Sequence, residues 1–478
     1  MVNITKRNNR YTFNPVAGWI IWALFTALLI FLASKHEPCG DEYIVWFMCK
    51  KMNLVQLWQA MRTEGHFMLW HLLIYPFVKL GCSYWCLQLM SVALVSGAGW
   101  LIVMKSPFNL FSKCLVLFST PLVYDFAVIA RCYALIPLIL FAIATVYPKQ
   151  KEKPFLYCIL VGLLSLTHVY MEGMVAALFL LYCYEQIYLP NKSGEPVRKY
   201  IAAAGVTILV VLVAFLQVAG SLNFSMEITT PVDSVRTIAY KFFAQAYYFS
   251  PLSGSIDQGA YHSPAGILVT AILIASVIVC LYLTLRDRNE WKLAFLLFLS
   301  IGWQIAFSLF IFRFEHERLF LPLMILYFVI WQANNKKYIT VLLLCLFLLT
   351  LRMGELKRDV NEVYLSDTMV YERVYNLVDE GESIYVSAIG DPLLTELAFK
   401  DKYDYLTETP KDRHTLHSPE VLSMNELDTL FSSSKNKNRV YYFSSRPYES
   451  VPEGYSLHLC LYTPSNNHLK YLYVIEKH

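Results

Sequence analysis

The stretch WIIWALFTALLIFLASKHEPCGDE, Trp19 to Glu42, decides how the rest of the chain is read. It begins inside a run from 17 to 34 that holds no charged residue, and it ends on the acidic pair Asp41-Glu42. An α-helix rises about 1.5 Å per residue, so an apolar run near 20 residues crosses a hydrocarbon core of roughly 30 Å. The basic residues Lys6, Arg7 and Arg10 precede the run, as in a signal peptide. Its apolar core is long, however, and no small-x-small cleavage site follows, so it reads as a retained anchor.

The rest of the chain has the same character. Of 478 residues, 56% are hydrophobic and 15% aromatic, only 16% are charged, and the mean hydropathy is +0.44. Soluble domains carry about 25% charged residues. The composition therefore describes a polytopic membrane protein and excludes a cytosolic enzyme, a secreted scaffold and a nucleic-acid binder. Eleven spans are expected, at 17–34, 84–104, 112–123, 126–147, 154–170, 172–190, 199–220, 263–285, 292–312, 318–333 and 338–353. His66 to Leu80 is short and polar at its start, and reads as an interfacial helix, with a twelfth span as the alternative.

Charge divides the chain near residue 354. Residues 1–354 hold 27 Lys+Arg and 16 Asp+Glu, a net +11, whereas 355–478 hold 13 and 20, a net −7. The tail has no long apolar run. It has short alternating stretches, Ser383–Ser387, Arg439–Phe443 and Tyr471–Ile475, separated by turn residues, which read as strands. The expected architecture is an α-helical membrane domain, 1–354, with outer loops 35–83 and 221–262, followed by a small soluble α/β domain, 355–478.

With the N-terminus in the cytoplasm, the cytoplasmic segments take Lys105, Lys113, Lys149, Lys151, Lys153, Lys192, Arg198, Lys199, Arg286, Arg288, Lys292, Lys336 and Lys337 besides the N-terminal three. These short segments hold 16 of the 27 basic residues, as the positive-inside rule asks. An odd number of spans puts the C-terminal domain outside. The eleven cysteines show no CxxC pair or Cys/His cluster, and most sit alone in apolar runs as small hydrophobes. Cys39 with Cys49, and Cys82 with Cys86, either pair or stand as free thiols. No internal repeat or low-complexity linker is visible.

The scarce polar residues gather at the outer ends of the spans. Ionisable groups at membrane depth are costly and face a cavity or a partner. Asp41-Glu42 is either a solvated loop pair or a carboxylate base at the membrane surface, where neighbouring carboxylates raise each other's proton affinity. Arg131, in Ala130-Arg131-Cys132-Tyr133-Ala134-Leu135, is either a snorkelling anchor or a phosphate ligand, because a guanidinium forks onto phosphate oxygens. Arg318, before Leu319-Phe320-Leu321-Pro322, invites the same reading, while Arg313 with Glu315 and Glu317 also reads as a local ion-pair set. His168, near Tyr170 and Glu172, is a structural histidine or a ligand. The loop 221–262 carries aromatic residues at helical spacing around Lys241, which fits an interfacial helix, as a plain anchor or as a wall of a lipid groove.

Taken together, these motifs resemble the GT-C superfamily of membrane glycosyltransferases, in particular the bacterial branch of lipid A aminoarabinose transferases and mannosyltransferase-like proteins. The residues that carry the resemblance are Asp41-Glu42, Gly65-His66-Phe67-Met68-Leu69-Trp70, Ala130-Arg131-Cys132-Tyr133-Ala134-Leu135, Thr167-His168-Val169-Tyr170 and Glu317-Arg318-Leu319-Phe320-Leu321-Pro322, over about residues 15–335. Phe67 and Met68 stand where the family usually has prolines. The resemblance implies a GT-C-like fold in the plasma membrane, most readily a bacterial inner membrane. It implies transfer of one sugar from a polyprenyl-phosphate donor, such as an undecaprenyl one, to a hydroxyl of a lipid, glycan or protein. In that frame Asp41 is the base and Glu42 orients it, or binds acceptor or metal. Arg131, Lys241 and Arg318 hold the donor phosphate, and His66, Tyr133, His168, Glu172 and Glu317 contact acceptor or donor sugar. No cofactor is required outright. Some relatives use a divalent metal ion, and no diagnostic ligand set for one appears. Two other readings share the same groove: a polysaccharide ligase or polymerase, and a transporter of lipid-linked sugars. A transporter should show broken spans in matching halves, and no such repeat is seen.

Overall fold

The computed structural model describes residues 15–36, 40–64, 67–218, 264–310, 320–334 and 336–351. Towards the C-terminus it describes 356, 360, 373–374, 376–378, 384–387, 420–421, 424–433, 438–444, 448–463 and 470–478. The chain divides into two compact units. One takes residues 1–36, 54–77 and 85–361, and the other 37–53, 78–84 and 362–478.

The first unit is helical. Among the described residues seven helical segments are long and apolar enough to cross a membrane: Pro15–Ala33, Trp85–Lys105, Cys132–Lys149, Val169–Lys192, Arg198–Val218, Leu268–Leu285 and Trp291–Ser308. Three further apolar helices, Pro154–Ser165, Leu321–Gln332 and Ile339–Leu349, have 11 or 12 residues. The segment expected to be an interfacial helix contains Leu69–Lys79.

The helices meet through small residues and short polar bridges, as helices in lipid must when apolar side chains gain little by touching one another. Pro15–Ala33 crosses Trp85–Lys105, with Trp22 Nε1 donating to Ser96 O at 2.9 Å and the Thr26 and Ser96 hydroxyls 2.6 Å apart. Gly99 permits that crossing, since a Cβ there would lie 2.6 Å from the Phe25 ring. Glu172–Tyr182 crosses Trp291–Phe310 still more closely, and a Cβ on Gly173 would lie 2.3 Å from Trp303 Cβ. Thr207 Oγ1 donates to Cys158 O at 2.9 Å, and Gln332 Nε2 to Ala144 O at 2.7 Å. Toward the end of the long helical segment from 169 to 192, Glu185 pairs with Lys292 and accepts from Gln150 Nε2.

Two expected spans are interrupted. Instead of a helix over 112–123, the chain forms Leu110–Leu117, a π-type turn over Pro121–Asp125, and non-helical backbone to Arg131, so the next helical segment begins at Cys132 rather than 126. The cause is local. The Ser119 hydroxyl donates back to Val116 O at 2.8 Å, and Pro121 has no N–H with which to continue the ladder. The expected span 154–170 is cut in the same way. The hydroxyls of Ser165 and Thr167 donate to the carbonyls of Gly162 and Leu164 at 2.8 and 2.7 Å, and the α-helix stops at Ser165.

The second unit contains a four-stranded sheet in the order β1-β3-β6-β5. Its strands are β1 (Ile384–Ser387), β3 (Arg439–Ser444), β5 (Tyr455–Thr463) and β6 (Lys470–Lys477), and a short parallel pair joins β2 (Glu420–Val421) to β4 (Tyr448–Ser450). β1 runs parallel to β3, while β6 runs antiparallel to both β3 and β5. Each of the three stretches expected to be strands is a strand over its described residues. The helix Met424–Ser433 packs on β3. The core is rich in tyrosine: Tyr385, Tyr442, Tyr448, Tyr471 and Tyr473 are buried with Leu427, Phe431, Val440 and Ile475. Buried phenols need partners. Tyr473 Oη accepts from Tyr448 N at 2.9 Å, and the Tyr442 and Tyr448 hydroxyls are 3.2 Å apart.

Candidate functional site

The two interruptions in the helical unit are built alike. After each, one polar residue takes an extended conformation, a 3-10 turn follows, and a membrane-length segment begins. Arg131 (φ −119°, ψ 174°) precedes the turn Cys132–Ala134, and His168 (φ −159°, ψ 141°) precedes Val169–Met171. Each turn carries a fully buried tyrosine two residues past its polar residue, Tyr133 and Tyr170. Non-helical backbone at membrane depth is tolerated where protein buries it or a cavity adjoins it.

The two turns meet. Tyr133 Oη lies 3.5 Å from His168 Nε2, with the ring centroids 5.1 Å apart. The Tyr170 ring also stacks on the imidazole, with centroids 5.3 Å apart. His168 is itself buried, and its Nδ1 accepts from the Tyr170 backbone N–H at 3.2 Å. A neutral imidazole whose Nδ1 accepts carries its proton on Nε2, so the N–H is directed at Tyr133 Oη. The Arg131 guanidinium lies 5.4 Å from the Tyr133 ring centre and is half-buried. The cluster thus grades from a cation at its edge to a buried run of aromatic rings.

A third element closes it. In helix Trp291–Phe310, Trp303 Nε1 donates to Val169 O at 2.9 Å, and Ser308 Oγ is hydrogen-bonded to Tyr170 Oη at 3.2 Å. Phe307 sets its ring edge-on to Tyr170 at 5.3 Å. Trp303, Phe307 and Ser308 recur at helical spacing, which reads as ordinary packing until the partner turn is known. Glu172 is half-buried at the first position of the helix that follows the His168 turn.

The acidic pair belongs to the second unit. Asp41 and Glu42 lie in the first turn of helix Gly40–Lys51, where the partial positive charge of a helix N-terminus favours carboxylates. Glu42 is fully buried and accepts from Tyr84 Oη at 3.2 Å. Tyr84 stacks on Tyr43 at 4.7 Å with the planes 6° apart, which fixes the phenol that holds the carboxylate. The Asp41 side chain, His66, Lys241, Glu317 and Arg318 lie outside the described residues. So does Cys39, whereas Cys82 and Cys86 form no disulfide, the second of the two readings left open for that pair. Among the described residues no three His, Cys, Asp or Glu side chains gather as a metal site. The structure therefore brings together Arg131, Tyr133 and His168, adds Tyr170, Ser308 and Trp303, and separately pairs Glu42 with Tyr84.

No protein-family model matches the chain, and no curated protein matches it. Among solved structures, the chain is similar to the crystal structure of ArnT from Cupriavidus metallidurans bound to undecaprenyl phosphate, with 11% identity over 95% of this chain and 98% of that one, and a TM-score of 0.46.

Proposed function

We propose that the protein is a membrane glycosyltransferase. In this reading it moves one sugar from a polyprenyl-phosphate donor to a hydroxyl of a lipid, glycan or protein at the extracytoplasmic face. The observation that carries the reading is the meeting of two interrupted membrane segments in a buried Tyr133–His168–Tyr170 stack with Arg131 at its edge. An apolar bundle suits a prenyl chain, a half-buried guanidinium suits its phosphate, and a buried imidazole and phenol suit the hydroxyls of a sugar.

Asp41 takes the proton of the acceptor hydroxyl, and Glu42, held by Tyr84, orients the acceptor. The acceptor oxygen bonds to the anomeric carbon as the bond from that carbon to the phosphate oxygen breaks, and its electron pair leaves on the polyprenyl phosphate. Charge grows on that phosphate in the transition state, so a fixed cation lowers the barrier. Arg131 serves there, joined by Lys241 and Arg318, while His66, Glu172 and Glu317 contact donor sugar or acceptor.

The test is transfer by protein purified into lipid nanodiscs, using polyprenyl-phosphate sugars and candidate acceptors, with products read by mass spectrometry. Wild type should release free polyprenyl phosphate and a singly glycosylated acceptor. Asp41→Asn should abolish release while binding donor as before. A donor carried across a vesicle membrane with its sugar still attached would identify a transporter, and transfer of a whole polymer a ligase.

A further inference from the structure

Helix Trp291–Phe310 carries a polar row, Ser300, Gln304 and Ser308, spaced one turn apart and all buried. The two serines are accounted for. Ser300 Oγ donates to Leu296 O at 2.7 Å and lies 3.3 Å from Met174 Sδ. Ser308 Oγ donates to Gln304 O at 2.7 Å and meets Tyr170 Oη. Gln304 stands midway, between a residue that touches Met174 and one that touches Tyr170, and next to Trp303, which bonds the turn after His168. It is 0% exposed, and among the described residues neither its amide oxygen nor its amide nitrogen has a hydrogen-bond partner.

A buried primary amide with its four hydrogen-bonding positions unused destabilises the fold that encloses it, and a leucine or methionine of like volume would serve packing better. Its place in the row is therefore informative. Ser308 faces Tyr170 in the turn and Ser300 faces Met174 in the helix after it, and between them the amide is the one polar group of the row with no partner among the described residues. A ligand that matches it must both donate and accept while carrying no charge, because a charged group would leave the amide's opposite function unpaired. A sugar hydroxyl has that character, whereas a phosphate oxygen only accepts and is served by Arg131.

We propose that Gln304 is a specificity-determining residue that hydrogen-bonds a hydroxyl of the transferred sugar. This rests on the glycosyltransferase reading above and adds to it a contact within the sugar-binding part of the site. Among the described residues the amide has no partner, and a sugar hydroxyl beside Tyr170 would satisfy it, so the enzyme favours donors with a hydroxyl at the matching carbon. A site built to bond a hydroxyl rejects an analogue that lacks it far more strongly than an apolar pocket rejects an extra group.

The experiment compares wild type, Gln304→Met and Gln304→Leu in nanodiscs. Melting temperature is measured, and then KM and kcat for a polyprenyl-phosphate sugar and for its series of monodeoxy analogues. Both variants should melt at or above the wild-type temperature. Each should show a KM for the full sugar raised about tenfold or more. One deoxy donor should be poor for wild type yet treated by the variants like the parent sugar. If the variants keep the wild-type KM across the whole series, or melt well below wild type, the proposal is overturned while the transferase reading stands. If wild type itself transfers no sugar from any donor, that reading falls and this proposal with it.

Discussion

Tyr133 and His168 are 35 residues apart in sequence, yet Tyr133 Oη sits 3.5 Å from His168 Nε2, and the contact joins the two interrupted segments of the helical unit. Tyr133→Phe keeps the ring against Arg131 and His168 and removes only the oxygen. Loss of this long hydrogen bond should cost about 1 kcal/mol of stability. Sugar transfer should fall about tenfold, equivalent to ~1.4 kcal/mol in the barrier. Unchanged melting and unchanged kcat would show that the contact contributes neither.

The pair Glu42 and Tyr84 makes a second, separable prediction. Tyr84→Phe retains the stack on Tyr43 but takes away the hydroxyl that donates to the buried carboxylate. A hydrogen bond contributes about 1 kcal/mol, so a drop of at least that order in unfolding free energy is expected. If Glu42 orients the acceptor, KM for the acceptor should rise while donor binding is unaffected. A donor-binding defect instead would count against that role.

Gly173 should tolerate no side chain. Alanine there places a Cβ 2.3 Å from Trp303 Cβ and 3.1 Å from Leu299 O, neither of which swings away as the tip of a flexible side chain does. Overpacking of this kind costs ~1–3 kcal/mol, and more where backbone must move. Gly173→Ala should melt well below wild type in detergent. Gly205→Ala, where nothing lies within 4 Å, should melt like wild type and serves as the control.

His71, in helix Leu69–Lys79, supplies a pH dependence. Burial lowers its pKa to about 4, from an ordinary value near 6.5. The folded protein keeps this imidazole neutral, whereas the unfolded chain protonates it below about 6.5. Unfolding therefore becomes easier as pH falls from about 6.5 to about 4, by ~3 kcal/mol over the window, and there is no contribution above it. His71→Phe should flatten this part of the melting-temperature profile. A variant whose profile overlays wild type between pH 7 and 4 would remove His71 as the cause.

Much of the fold is legible in the apolar runs and the alternating tail, because a bilayer-length helix and a half-buried strand each impose their own period. The interruption at 118–131 is not legible that way. Leu122, Val123, Phe126, Ala127 and Val128 are as apolar as any helix, since irregular backbone buried in protein needs the same side chains as regular backbone. The signals that were present, Ser119 and Pro121, are individually common in membrane helices. The site divides along similar lines. Arg131, Tyr133 and His168 stand out as polar residues in apolar surroundings. Ser308 and Tyr84 acquire meaning only from partners distant in sequence, such as Tyr170 at 138 residues from Ser308, and Gln304 only from the lack of one among the described residues.

The glycines at 99 and 173 bear on how this protein can change over generations. Every single-base change in a glycine codon that alters the residue supplies a Cβ, and at these two positions the facing Phe25 ring and the Trp303 Cβ already occupy that space. Mutation thus has no nearby step to take at either crossing unless the opposing aromatic changes as well. Descendants of this chain should keep both glycines, or exchange them together with residues 25 and 303, long after the surrounding leucines and valines have drifted.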